Sequence, residues 1–318
     1  MKHMTHAPLS PSGRGNRPQP RYILGANAVD VPRLASGLYI VATPIGNLGD
    51  ITLRALAALA GADLIACEDT RVTRKLLERY AIATPLTPYH DHNAQQARPK
   101  LVRRLADGAA IALVSDAGTP LVSDPGFKLV RAAQEAGHRV TALPGASALL
   151  AALTVAGLPS DQFFFAGFLP PKQAARRARI AELARIPATL ALFETGARMA
   201  ASLTDLATVL GRREAALCRE LTKMHEEVRR GDLATLAQDC AAAEMRGEIV
   251  LVIAPPRADR PSVGEADALL RQALSRVSLK DAVGEVAQAT GLPRRELYQR
   301  ALALVKQAGE ETNHGATR

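Results

Sequence analysis

From about residue 37 to residue 148, short apolar runs alternate with stretches that show helical spacing. A run such as residues 109–114 has the length and continuity of a buried strand. A stretch such as residues 70–80 instead repeats its apolar side chains every three or four positions. Strands that alternate with helices are typical of a parallel sheet with helices on both faces. The pattern therefore predicts a first α/β domain over residues 36–148.

A second alternating region follows and begins with an aromatic run at residues 163–168. A basic helix is predicted next, over residues 173–183, and the last strand is predicted near residues 248–254. The two prolines that follow this strand, and the polar residues after them, read as a linker. We therefore predict a second α/β domain over residues 149–256.

The remaining sequence shows helical spacing only. Residues 278–290 and 294–306 read as two helices joined by a tight turn, and the second helix carries Arg294 and Arg295. A helix-turn-helix presents its second helix to nucleic acid in this way, although any helical hairpin has a similar pattern. We predict a small helical, RNA-binding segment over residues 262–310.

Residues 1–35 have a different composition, rich in Pro, Gly, Ser and Arg and poor in large apolar side chains. This composition predicts a disordered basic tail. An organelle transit peptide is the alternative, because acidic residues are absent before Asp30. The spacing of the prolines disfavours it, since such peptides form amphipathic helices.

The composition disfavours membrane-spanning, disulfide-stabilised and zinc-binding proteins. With 47% apolar residues, the chain can bury a substantial core, yet no apolar run approaches the roughly 18 residues that a membrane helix needs. The three cysteines have no paired spacing, so the sequence indicates neither a disulfide framework nor a zinc site. We expect a cytoplasmic protein with no membrane association and no metal.

Three polar loops rich in Gly and Pro follow three of the predicted strands of the first domain. They comprise residues 43–50, 115–126 and 143–148. In a parallel sheet, ligands bind at the carboxyl ends of the strands, where helix N-termini and free backbone groups converge. We therefore expect the three loops to border one shared crevice.

Basic clusters lie on the predicted helices, at residues 71–79, 98–104 and 172–179. Such runs are usually solvated helix faces, but beside a ligand crevice they also suit a phosphate backbone. The net charge of +9 is weak evidence by itself, since part of it lies in the predicted tail. The candidate RNA-binding residues are Asn47, Arg71, Arg74, Arg176, Arg177, Arg294 and Arg295.

Together, the motifs resemble the tetrapyrrole methylase superfamily of S-adenosylmethionine (SAM) enzymes, and most closely its ribosomal RNA branch. The first loop begins Thr-Pro-Ile-Gly at residues 43–46, where the tetrapyrrole branch typically has Gly-Pro-Gly-Asp. Ala197 stands where the ribosomal branch commonly has a histidine, and His225 where an aromatic residue is common. The matching segments are residues 39–52, 67–71, 90–93, 115–126, 157–161, 167–170, 219–223 and 247–251.

The resemblance implies two α/β domains with SAM in the cleft between them, usually in a homodimer. It also implies 2′-O-methylation of a cytidine in the decoding region of the 16S ribosomal RNA of the 30S subunit. Backbone groups around Gly118 would meet the amino acid end of SAM. By position, the expected SAM-binding residues are Pro44, Ser115, Asp116, Ala117, Gly118, Thr119, Val122, Ser147, Ala148, Glu194 and Leu221.

Methyl transfer to a ribose hydroxyl also needs a group that helps the hydroxyl to lose its proton. The catalytic candidates are Asp69, His90, His92 and Lys223, with Asp116 as a further carboxylate. The His90-x-His92 spacing suggests metal ligation, but no third ligand follows at useful spacing. Two other functions remain open: a precorrin-type tetrapyrrole methyltransferase, and a ribosome-assembly protein that binds RNA without catalysis.

Overall fold

The computed structural model describes residues 19–122, 126–242, 245–256 and 263–315. The chain forms two compact units, one up to Ala254 and the other from Pro255 onward. Across the described ranges, none of the helices combines the length and hydropathy that a membrane crossing requires. The division of the first unit into two domains at residue 148 stays a prediction.

The first unit opens with a short hairpin, β1 (Arg21–Leu24) and β2 (Asn27–Asp30), whose strands pair antiparallel. Tyr22 is buried in the hydrophobic core, and the Ile23 amide donates to the Tyr80 carbonyl at 2.8 Å. The prediction of a disordered tail is therefore wrong for this segment, because burial of a few apolar side chains anchors it despite its polar composition. Residues 1–18 of the predicted tail lie outside the described part of the chain.

The first sheet has five parallel strands in the order β5-β4-β6-β3-β7. Its strands are β3 (Gly37–Val41), β4 (Leu64–Cys67), β5 (Leu86–Pro88), β6 (Ala110–Val114) and β7 (Val140–Leu143). Its helices are α1 (Leu53–Gly61), α2 (Thr70–Arg79), α3 (Ala94–Ala106), α4 (Phe127–Glu135) and α5 (Ala148–Ala156).

Helices cover both faces of this sheet. Alternate residues of β3 enter two different cores: Tyr39 and Val41 pack with α1 and α2, while Leu38 and Ile40 pack with α3 and α4. A strand that is buried on both faces must be apolar throughout, which is why the sequence shows continuous apolar runs here. The predicted parallel sheet is confirmed.

The second sheet has the order β11-β10-β12-β9-β8 and is mixed, with only β8 and β9 parallel. Its strands are β8 (Phe163–Phe168), β9 (Thr189–Thr195), β10 (Glu214–Arg219), β11 (Glu227–Asp232) and β12 (Glu248–Ile253). Helices α6 (Gln173–Leu183), α7 (Gly196–Leu210) and α8 (Leu233–Ala242) pack against one face.

Helix α5 links the two sheets. It begins directly after the loop that follows β7, and Leu149 and Leu153 pack with Ala191, Val250 and Val252 on the other face of the second sheet. The loops at the carboxyl ends of the first sheet are thereby held against the second sheet.

The second unit is helical in the residues that the structure describes. It contains α9 (Val263–Leu274), α10 (Leu279–Thr290) and α11 (Arg294–Gly315) around a small core that includes Leu270, Val283 and Leu297. The predicted helix, turn and helix are confirmed. Arg294 and Arg295 lie exposed on the first turn of α11.

Candidate functional site

A cavity of about 340 Å³ lies between the loops of the first sheet and the second sheet. Its volume is in the range of small-molecule and cofactor sites. Strands β6, β3 and β7 are neighbours, so their loops meet at one edge, as expected from the sequence. Of the residues that the sequence predicted for the cofactor, Asp116, Ala117, Gly118, Thr119, Val122, Ser147, Ala148, Glu194 and Leu221 line this cavity.

The three loops are hydrogen-bonded to one another. Thr43 and Gly118 exchange backbone hydrogen bonds, N–H to carbonyl at 2.9 Å and 3.0 Å. The Thr43 hydroxyl also donates to the Ser115 carbonyl at 3.3 Å, and the Thr119 hydroxyl donates to the Ala146 carbonyl at 3.1 Å. These bonds fix the wall of the cavity before any ligand binds.

These bonds also show how individual residues of the loops contribute to the wall. The amide of Gly118 donates to Thr43 and shapes the wall, so a contact between SAM and the other backbone groups around Gly118 stays a prediction. Pro44 and Ser115 are buried and do not line the cavity. Ser115 instead donates from its hydroxyl to the Ala117 carbonyl at 3.2 Å, which holds the turn that carries the lining residues.

Carboxylates surround the cavity: Glu68, Asp116, Glu194, Glu220 and Glu248 all line it. One oxygen of Asp116, Oδ1, accepts the Asp69 amide at 2.9 Å and ties the loop after β6 to the loop after β4. The other oxygen, Oδ2, has no hydrogen-bond partner among the described residues. The cavity therefore suits a ligand that carries positive charge.

Glu194 is almost fully buried, at 3% exposure, and its carboxylate is held by two hydrogen bonds and one ion pair. Oε1 accepts from the Thr195 amide at 2.9 Å and forms an ion pair with Arg198 Nε at 3.3 Å, while Oε2 accepts from the Ser202 hydroxyl at 2.8 Å. A carboxylate with this many partners is fixed in orientation. It forms a rigid part of the wall.

Two catalytic candidates, Asp116 and Lys223, line the cavity. Lys223 Nζ donates to Glu220 Oε1 at 2.9 Å and to Glu248 Oε2 at 2.8 Å. Burial by itself lowers the pKa of Lys223, but the hydrogen bonds to Glu248 and Glu220 outweigh it and raise the pKa above its usual value. The side chain is therefore an ammonium ion near neutral pH, a donor and not the proton acceptor that the sequence suggested.

The loop that carries Lys223 also contacts the first sheet. The Asn47 amide donates to Thr222 Oγ1 at 3.2 Å, and the Lys223 side chain lies so close over Gly46 that a Cβ there would collide with it. Glu220 and Thr222 both have positive φ, 49° and 67°, which is uncommon for residues with side chains. Strain of this kind concentrates at functional sites.

Asp69, His90 and His92 do not line the cavity. The Asp69 carboxylate accepts the Arg71 amide at 2.8 Å and pairs with Arg71 Nη2 at 2.6 Å, and these bonds lower the pKa of Asp69 to about 2. The rings of His90 and His92 pack edge to face, 6.0 Å apart. Across the part of the chain that is described, no group of three or more His, Cys, Asp or Glu side chains could hold a metal ion.

The candidate RNA-binding residues differ in accessibility. Arg176 is buried, and its Nη2 pairs with Asp205 at 2.7 Å, so its prediction as an RNA contact is wrong. Arg177 shares the same carboxylate, at 2.6 Å, but its side chain is 45% exposed. The other exposed candidates are Asn47, Arg71, Arg74, Arg294 and Arg295.

The cavity also contains residues that the sequence did not single out as site residues. Phe168 and Phe193 form an aromatic wall, and Glu220 and Glu248 hold Lys223. Phe168, Glu220 and Glu248 lie inside segments that match the family, and this match was the available signal in the sequence. Phe193 lies outside these segments, on β9, and the pairing of β9 with β12 brings it to the cavity.

Two family models match this chain, one within each of the two compact units. Residues 37–237 match the family model described as Tetrapyrrole (Corrin/Porphyrin) Methylases, and residues 260–305 match that of the RsmI C-terminal HTH domain. Ribosomal RNA small subunit methyltransferase I of Mesorhizobium japonicum is 50% identical over 91% of this chain and 99% of the relative. The protein of that name from Erythrobacter litoralis is 52% identical over 85% of this chain and 96% of the relative.

Among solved structures, the crystal structure of diphthine synthase is similar, with a TM-score of 0.54 and 18% identity. The match covers 68% of this chain and 89% of that one. At this level of identity the similarity concerns the fold alone.

Proposed function

The chain belongs to the tetrapyrrole methylase family, and from this premise we propose that it is a SAM-dependent methyltransferase of 16S ribosomal RNA. Its substrate is the ribose 2′-hydroxyl of cytidine 1402, in reference numbering, in the decoding region. The observation that carries the proposal is the cavity in which nine of the eleven predicted cofactor residues meet an aromatic wall and a lysine held by two carboxylates.

The cavity fits SAM by its chemistry. The cofactor carries a positive sulfonium and a positive amino group, and the cavity is lined by carboxylates. Ala117, Gly118, Thr119, Ser147 and Ala148 are small enough to let the ligand approach the wall, and a Cβ at Gly118 would already come within 3.3 Å of Ile45. These residues would hold SAM, which supplies a methyl group already activated by the sulfonium.

The protein must then orient the ribose and accept its proton. We assign the role of proton acceptor to Asp116 Oδ2, because Asp116 lines the cavity and the Asp69 amide already occupies its other oxygen, Oδ1. The Lys223 ammonium donates hydrogen bonds at the same cavity and would stabilise negative charge on the ribose oxygen or a neighbouring phosphate.

Exposed cations would bind the ribosomal RNA backbone. Arg71 and Arg74 lie on α2, which begins at the carboxyl end of β4, at the same edge of the sheet as the cavity loops. Arg294 and Arg295 would supply a second contact from the helical unit. The 30S subunit is thus the proposed partner, in the cytoplasm, and the homodimer is part of the same proposal.

The test is transfer of a labelled methyl group from SAM to 30S subunits purified from a strain that lacks the modification. Nuclease digestion and mass spectrometry would locate the label. One 2′-O-methylated cytidine in the decoding region supports the proposal. Deproteinised 16S ribosomal RNA, assayed in parallel, distinguishes an enzyme that needs the assembled particle from one that acts on free RNA. SAM binding without any label on RNA contradicts the proposal and favours a tetrapyrrole substrate or a non-catalytic role.

A further inference from the structure

Phe168 combines two properties that rarely occur together. Its ring lines the cavity, and its side chain is nevertheless 52% exposed. An aromatic ring that the fold itself needed for packing would be largely buried. The ring therefore has an open face at the edge of the site.

A β-bulge directs this ring toward the cavity. Phe165 pairs with Ala191, but the next pairs are Gly167 with Leu192 and Phe168 with Phe193, so Ala166 is an extra residue in β8. Side chains alternate along a strand, and without the extra residue Phe165 and Phe168 would point to opposite faces. The bulge places both on the face that carries Phe193, and Gly167 adopts the left-handed φ of 65° that the irregularity requires.

The position of the ring is fixed by two further rings. Phe168 packs edge to face against Phe193, with centroids 5.7 Å apart, and Phe193 packs in the same way against Phe165 at 4.8 Å. The packed rings of Phe165 and Phe193 support the ring of Phe168 on one side, and its other side stays accessible. A rigid, partly exposed ring beside a reaction site is the arrangement that binds an unstacked nucleobase.

We propose that Phe168 is the stacking platform for the target nucleobase, holding the base of the methylated nucleotide so that its ribose reaches Asp116 and Lys223. The proposal rests on the proposed function and deepens it. A ribose whose base is stacked inside an RNA helix does not reach into a cavity of this kind, so the target nucleotide must be displaced from its neighbours. Stacking on Phe168 replaces the contacts that the base loses.

The test compares Phe168→Leu with Phe168→Tyr in the full-length protein. Leucine keeps an apolar side chain but removes the aromatic face, whereas tyrosine retains the ring. With unmethylated 30S subunits, we expect Phe168→Leu to lower kcat/KM about tenfold or more, mainly through KM, since loss of one base stack has an effect of this size. We expect Phe168→Tyr to stay within about threefold of the parent. Phe163→Leu is the matched control, because Phe163 is 42% exposed on the same strand but does not line the cavity.

Calorimetric titration with SAM separates this role from cofactor binding. The proposal expects unchanged SAM affinity in Phe168→Leu. A loss of SAM affinity as large as the kinetic loss would instead assign the ring to the adenine of the cofactor and overturn the proposal. Equal kinetics for the parent and Phe168→Leu would also overturn it, as would an equal loss in Phe163→Leu. If the parent enzyme labels the subunit in these cases, the proposed function stands without the stacking role.

Discussion

Thr43 and Gly118, which lie 75 positions apart in the sequence, exchange two backbone hydrogen bonds of 2.9 Å and 3.0 Å. The pair joins the loop after β3 to the loop after β6 outside the regular sheet. Gly118 adopts a φ of 78° there, and this conformation brings the backbone of its loop to the cavity wall. The cavity is therefore shaped by main-chain geometry as much as by side chains.

The first prediction concerns Gly118→Arg, which we expect to abolish SAM binding because the side chain would occupy the cavity. Gly118→Ala should weaken binding less, since its Cβ meets Ile45 at 3.3 Å. Gly137→Ala is the control: Gly137 has nearly the same φ, 77°, but nothing within 4 Å of the added Cβ. Both alanine variants should lose roughly 1 kcal/mol of folding stability from the left-handed backbone alone. Calorimetry that shows unchanged SAM affinity in a folded Gly118→Arg protein would contradict the cavity assignment.

The second prediction concerns proton transfer. Asp116→Asn keeps an oxygen that can accept the Asp69 amide but removes the proton acceptor, so we expect kcat on 30S subunits to fall by about 100-fold or more. The melting temperature should change little, and the loss of kcat should exceed any loss of SAM affinity that removal of this negative charge causes. Glu68→Gln, at another carboxylate that lines the cavity, is the comparison. A larger loss of kcat in Glu68→Gln than in Asp116→Asn would move the role of base to Glu68.

The third prediction concerns the buried ion pair between Arg176 on α6 and Asp205 on α7, two helices that pack against the second sheet. Asp205 is fully buried, and although burial raises its pKa, hydrogen bonds from Arg177 and Arg176 outweigh this and lower the pKa. Asp205→Ala would leave the buried Arg176 guanidinium without a negatively charged partner, and we expect a loss of about 3–5 kcal/mol in the free energy of unfolding. Glu182→Ala, which breaks the exposed pair with Arg179, should cost about 0–1 kcal/mol. Urea denaturation measures both, and similar losses would show that the buried pair is not a structural requirement.

The fourth prediction follows from the cysteines. Cys218 lines the cavity, and burial raises the pKa of its thiol to about 11. Burial also raises the pKa of Cys67 and Cys240. Because the thiolate is the reactive form, we expect almost no alkylation of these cysteines by iodoacetamide at pH 8 in the folded protein, and full alkylation after denaturation. Intact-mass spectrometry gives the readout, and rapid modification of Cys218 in the native state would show an open and ionisable thiol.

The fifth prediction concerns the helical unit. The double variant Arg294→Glu, Arg295→Glu should raise the KM for 30S subunits and reduce the salt dependence of binding, since lost phosphate contacts lower its slope by about one each. SAM affinity should not change. Arg271→Glu with Lys280→Glu gives the same change of charge on α9 and α10, at residues that are also exposed. An equal effect of the two double variants would indicate a general effect of charge and not a contact made by α11.

Residues 176 and 177 illustrate why the sequence could not assign every site residue. Both are arginines on a basic helical stretch, and the local pattern treats them alike. The structure buries Arg176 and leaves Arg177 half exposed because Asp205, on α7, meets the two side chains from a position 28 and 29 residues away. The local spacing of charges in the sequence does not reveal long-range packing of this kind.

The sequence by itself determined the alternation of strands and helices, the helical hairpin, and the three loops that share one crevice. These follow from local rules: apolar periodicity defines the elements, and adjacent parallel strands bring their carboxyl ends to one edge. The tertiary structure alone decided the hairpin at residues 21–30, the hydrogen bonds from Lys223 to Glu220 and Glu248, and the orientation of Phe168 toward the cavity. Each depends on a partner distant in sequence or on one extra residue in a strand, and such relations exist only once the chain has packed.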